Sequence, residues 1–187
     1  MNSLLNFNTN KLIQDLDDIS ILYSFSNLDY LLKDVRVIYL KDVEIQMKPF
    51  VFISAKEGDM TSLPRWISII LNKQGLIEIH DEDNLSYVKR ALNRERISSG
   101  HVLSAIDPDF YVRVNNYLRS IDEKERESLI VSLNPFIASR IQKIVKLSAS
   151  SHLVSEIEEK LSLEEKLLYE TIYEMTFNFK KLVLKLE

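Results

Sequence analysis

The spacing of apolar positions changes period along the chain. In the first thirty-odd residues Leu12, Leu16, Ile19 and Tyr23 step by four, three and four, which places them on one helix face. Further on, Val43, Ile45 and Met47 alternate with Glu44, Gln46 and Lys48, as a strand with one buried face requires. Val35–Leu40 and Phe50–Ile53, β-branched and aromatic, flank it as two more strands. Pro49 has no N–H to donate and belongs at a strand start or edge. Three short strands are therefore predicted here.

"EGDMTS" (57–62) has the composition of a loop, and Thr61 or Ser62 can cap a helix after it. Pro64 suits the first turn of that helix. Leu63, Trp66, Ile67, Ile70 and Leu71 then recur at helical spacing, Gly75 closes the helix, and "LIEI" returns to strand. On this pattern Trp66 anchors the small core and Arg65 faces outward.

Beyond residue 80 the period stays helical. Asp83 or Asn84 can cap a helix through "LSYVKRALNRERI", and "SSGHVLSAIDP" reads as a connector. Asp107 and Pro108 can open the helix "DFYVRVNNYLRS". A helix over about Glu123–Leu133 is followed by a separate one, "FIASRIQKIVKLSAS", started by Asn134 and Pro135. The last helix begins at Ser162, which forms a capping box with Glu165. The fold class is α+β, predominantly α: a helical arm (1–34), a small β-rich module with one short helix (35–82), and an all-α bundle domain (83–187).

In the last helix Leu168, Ile172, Met175, Phe179, Leu182 and Leu186 step by four, three, four, three and four, and Tyr169, Tyr173, Thr176 and Val183 run beside them. An apolar face this wide needs cover on more than one side. Either the helix is central to the bundle, or part of it faces another subunit.

Composition removes several classes of chemistry. The 187 residues contain no cysteine, so disulfides, thiolate metal sites and cysteine nucleophiles are excluded. With three glycines there is neither a GxGxxG motif nor a P-loop. The net charge of −4 argues against a surface devoted to phosphate backbones. No apolar run approaches the ~20 residues of a membrane helix, and the first residues lack the pattern of a secretory signal. An intracellular protein is expected, cytoplasmic or nucleoid-associated, or nuclear in a eukaryote.

Candidate chemistry is sparse. His80, Asp81, Glu82 and Asp83 are consecutive, point in different directions, and read as an acidic helix-capping turn rather than a metal site. His101 and His152 sit in polar connectors far apart. No catalytic, cofactor-binding or metal-binding residue is assigned, and no cofactor is expected. Lys89, Arg90, Arg94 and Arg96 cluster on one helix, and Arg140, Lys143 and Lys146 form a stripe opposite Ile137, Ile141, Ile144 and Val145. These are read as solvated faces paired with local acids such as Glu95, or as contacts to nucleic acid or an acidic partner.

"GDMTSLPRWISIILNKQGLIEI" resembles the small β domain of the GINS replication proteins, with its loop, Leu-Pro-Arg-Trp-like start, short helix and closing strand. The likeness continues through "YVKRALNRERI", "IDPDFYVRVNNYL" and "NPFIASRIQKIVKLSAS", the last carrying the family's Arg-hydrophobic-x-Lys-hydrophobic core as Arg140, Ile141, Lys143 and Ile144. The β-module-first order resembles the subunit class that archaea usually keep as one protein. The resemblance implies a non-catalytic scaffold in DNA replication that assembles with a paralogous subunit, two copies of each, through the helical domains. It further implies that the hetero-tetramer joins MCM helicase to a RecJ-like partner, with Leu168, Ile172, Met175, Phe179, Leu182 and Leu186 as candidate subunit interface and Arg65 as candidate docking surface. The alternative is a DNA-binding transcriptional regulator with a winged-helix-like module and a helical dimerisation domain.

Overall fold

The structure, a computed structural model, describes residues 9–47, 51–80 and 85–185. The chain divides into two compact units, Asn27–Asn84 and Met1–Ser26 with Leu85–Glu187. The first division falls inside helix α1 (Thr9–Leu32). Leu12, Leu16 and Ile19 have side chains outside those described. Tyr23 is half-buried in the larger unit, where Asn115 donates to its hydroxyl.

The smaller unit is built on strand β1 (Asp34–Tyr39), which pairs antiparallel with β4 (Met60–Pro64) on one side and β5 (Ile77–His80) on the other. A separate hairpin joins β2 (Val43–Met47) to β3 (Val51–Ala55), pairing Val43 with Ala55 and Ile45 with Ile53. Val35, Val37 and Tyr39 alternate inward along β1 and pack with Val43, Ile53 and Ile77. The strand β4 was not anticipated: "MTS" reads as loop because its residues are exposed, yet Ser62 and Thr61 complete the ladder opposite Arg36 and Val37. Residue 49 and residues 81–84 lie outside the described residues, and with them the expected acidic turn and the expected cap at Asp83 or Asn84.

Helix α2 (Arg65–Lys73) closes this core with Ile67 and Leu71. Its end is a Schellman arrangement. Gly75, at φ 67°, donates to the Asn72 carbonyl, and Leu76 donates to that of Leu71.

The larger unit packs α3 (Leu85–Ile97), α4 (Phe110–Ser120), α5 (Glu123–Ser148), the short α6 (Ser155–Glu158) and α7 (Leu163–Leu184). One core joins Tyr87, Val88 and Ala91 of α3 to Phe110 and Val114 of α4 and to Leu129, Leu133 and Phe136 of α5. A second joins Leu103, Ile144, Leu161 and Tyr169. The expected break at Asn134–Pro135 is absent, and α5 runs through it as one helix. Pro135 removes one i→i−4 donor and frees the carbonyl of Val131. Val131 and Pro135 are both exposed, so water can satisfy that carbonyl. Burial of Leu129, Leu133, Phe136 and Ile144 on either side of the proline holds the helix continuous.

Candidate functional site

Two of the three cations of the α5 basic stripe are turned inward, opposite to the solvated face expected of them, while Lys146 is exposed as expected. Arg140 is fully buried and Lys143 nearly so. The Arg140 guanidinium spends all its donors: Nε and Nη2 grip Glu165 at 2.6 and 2.7 Å, and Nη1 reaches Glu95 at 3.1 Å and the Ser104 carbonyl at 2.8 Å. Nη2 also donates to the Lys160 carbonyl at 2.9 Å. Lys143 Nζ lies 2.6 Å from the other Glu95 oxygen and donates to Ser98 Oγ at 2.6 Å. Ser104 and Ser139 complete the shell of Glu95, and Tyr111 donates to Glu165 at 2.7 Å.

Charges balance in this cluster, two cations against two carboxylates. Burial works against the ionised form of Glu95, but hydrogen bonds from Lys143 and Ser104 outweigh it and hold the carboxyl below its ordinary range. Burial likewise disfavours charged Arg140, and the bonds to Glu165 reverse the sign and raise it. The Tyr111 hydroxyl is raised by burial and by the adjacent Glu165 charge. Every carboxylate oxygen here is already gripped by a cation or hydroxyl, so the cluster is built to tie α3, α5, α7 and two connectors together. The inward turn of Arg140 and Lys143 has a legible cause: Glu95 and Glu165 meet them from other helices, which spacing within α5 does not show.

The same cluster fixes the root of α7. Ser162 caps the helix, and the expected capping box with Glu165 is present. Glu165 thus serves the helix end and Arg140 at once. From this root Tyr169 is fully buried and Leu168 and Ile172 pack half-buried against the second core. The helix then loses its cover. Met175, Phe179 and Leu182 are 48, 63 and 73% exposed, and Phe177, Val183 and Leu184 are exposed with them. Leu186 lies outside the described residues. The six-residue stripe is therefore divided: its first two members are in the chain's own core, its next three are uncovered. Along the flank, His152 meets Tyr173 edge-on at 5.2 Å, and Tyr173 stacks on Phe177 at 5.9 Å.

In the smaller unit the roles expected of Arg65 and Trp66 are exchanged. Arg65 is 9% exposed and its guanidinium lies 4.0 Å from the centre of the Tyr30 ring, whereas Trp66 is 38% exposed. Arg65 is thus no docking surface, and Trp66 no core anchor. The cause is Ser68, which is fully buried and donates to the Pro64 carbonyl at 3.2 Å. Its small side chain lets α2 approach the sheet on the Ile67–Ser68–Leu71 side, and this rotation carries Trp66 and Ile70 outward. Thr61 and Ser62 are strand residues and cap nothing, while Pro64 precedes the helix rather than opening it.

Lys89, Arg90, Arg94 and Arg96 of α3 are exposed, as expected, but the pairing expected with Glu95 is absent: Glu95 is buried and taken by Arg140 and Lys143. His101 and His152 are exposed. Among the described residues no three His, Cys, Asp or Glu side chains are grouped to hold a metal ion, and no helix is long and apolar enough to cross a membrane. No protein-family model matches the chain, and no curated protein matches it.

Proposed function

We propose that this chain is a non-catalytic assembly subunit of the GINS type, acting in DNA replication as a scaffold between MCM helicase and a RecJ-like protein. One observation carries the assembly part of the reading. The α7 helix is clamped at its root by a buried ion cluster and then presents Met175, Phe179 and Leu182 without cover. A helix held that firmly, with contiguous large apolar side chains exposed, is suited to burial against another protein. The replication part is supported by the order of motifs along the sequence, with a small β unit preceding a helical one. The paralogous subunit of reversed domain order is the expected partner at α7.

The test is co-expression of the full chain with such a subunit, followed by co-purification and addition of MCM and RecJ-like proteins. The native chain should purify as a hetero-oligomer that retains both. Phe179→Glu combined with Leu182→Glu should leave the fold intact, since both side chains are exposed, and abolish the assembly. A native chain that stays a monodisperse monomer beside every one of these partners would sink the reading.

A further inference from the structure

Helices α3 and α5 enclose a second feature that the assembly reading does not use. Leu92 on α3 packs against the core that holds Leu129 and Phe136 on α5, and the outer edges of these three side chains floor a groove of about 640 Å³. Its α5 wall runs from Leu129 to Lys143, about 21 Å at the rise of a helix. Lys89 and Arg96, two turns apart, stand on its α3 rim, both exposed.

Charge sets this groove apart from the rest of the molecule. Of the charged residues that line it, Lys89, Arg96 and Lys143 are cations and Glu95 is the one carboxylate, in a chain whose net charge is −4. Glu95 offers the groove nothing, because Arg140, Lys143, Ser104 and Ser139 already occupy its oxygens. Lys143 spends two of its three donors on Glu95 and Ser98, which leaves one N–H for the groove it lines. The result is an apolar floor, a cationic rim and one buried ammonium donor, with no carboxylate free to answer them.

We propose that the α3–α5 groove binds an acidic peptide segment bearing an apolar side chain. The apolar residue rests on the outer edges of Leu92, Leu129 and Phe136, and carboxylates meet Lys89, Arg96 and the remaining Lys143 donor. Charge complementarity selects this occupant: a basic or purely apolar segment would leave the rim unpaired. Nucleic acid fits less well, since the floor is aliphatic with one phenylalanine and offers no row of rings on which successive bases could stack.

The test uses the full chain and a fluorescein-labelled peptide in which pairs of glutamates alternate with pairs of leucines, followed by fluorescence anisotropy. The native chain should bind it, with an affinity that falls as salt rises. Lys89→Glu with Arg96→Glu should weaken binding at least tenfold, and so should Ser132→Trp, which fills the groove without altering charge. Circular dichroism of both variants should match the native chain, as the altered residues are exposed. Four outcomes would each overturn the proposal. They are no binding by the native chain, equal binding by either variant, equal binding of a serine-for-leucine peptide, or tighter binding of a single-stranded oligonucleotide that depends on Lys89 and Arg96. None of these involves α7, so the result stands apart from the fate of the assembly reading.

Discussion

Arg140 and Glu165 meet through two parallel contacts of 2.6 and 2.7 Å, both residues shut away from water, although they lie 25 positions apart on different helices. This fork-on-fork pairing is the strongest geometry available to a carboxylate and a cation. Removing one partner from such a pair strands the other. Arg140→Met should therefore cost about 3–5 kcal/mol, read as a lowered midpoint in chemical denaturation. Arg140→Lys should recover little of it, because an ammonium cannot span Glu165, Glu95 and two carbonyls at once. A lysine variant of native stability would show that charge alone, not the planar fork, holds the cluster.

Acid should loosen the larger unit through Glu95. Its folded carboxyl is held below the ordinary value of 4.5, so its contribution is complete above that value and is lost as pH falls through the lowered one. Denaturation midpoints should decline steeply below about pH 4.5, and part of that decline should vanish in Glu95→Gln. An unchanged acid slope in the variant would assign the decline to other carboxylates.

Glu164, beside Glu165 in the first turn of α7, should behave in the opposite sense. Both Glu164 oxygens are shielded from solvent, and burial raises its carboxyl above the ordinary value against weaker hydrogen bonds from its own backbone and Ser162. Ionised Glu164 therefore costs stability at neutral pH, and the cost disappears below the unfolded value. Glu164→Gln should raise the melting temperature at pH 7 and change it little at pH 4. A loss of stability at pH 7 would mean that the hydrogen bonds to the carboxylate outweigh its burial.

These cases mark what could be read along the chain and what could not. The capping box at Ser162 and Glu165 and the apolar periodicity of α7 are local, within four residues of one helix, and both appear as read. So do strands β1 and β2, whose alternation is a property of consecutive residues. The helix break at Pro135 was misjudged because propensity argues from the proline alone, while burial of Leu133 and Phe136 on its two sides decides the outcome. The inward turn of Arg140 and Lys143 depends on Glu95, 45 positions from Arg140, and on Glu165, 25 from it. No spacing rule within a helix contains that information. The uncovered half of α7 was legible as an over-wide face, but only the packing shows that the cover ends after Ile172.

The exchange of Arg65 and Trp66 leads to a pair of variants with opposite expectations. Arg65 is 9% exposed, lies on the Tyr30 ring at 4.0 Å, and donates its backbone N–H to the Lys33 carbonyl at 2.9 Å. Arg65→Ala removes the guanidinium from the ring and its methylene stem from the packing, at about 2 kcal/mol together. The backbone bond survives the change, so the segment before α2 should keep its path. Trp66, 38% exposed, buries only part of its ring, and Trp66→Ala should cost about 1 kcal/mol or less. The chain has one tryptophan, which makes the measurement specific: indole fluorescence follows the Asn27–Asn84 unit, whereas far-ultraviolet circular dichroism is dominated by the helices of the larger one. In Arg65→Ala the fluorescence transition should move to lower temperature. In Trp66→Ala, where the indole is gone, the β-unit transition should be followed by backbone amide exchange of Val35–Tyr39 and remain close to native. A larger loss in Trp66→Ala than in Arg65→Ala would return the tryptophan to the core and make Arg65 the surface residue.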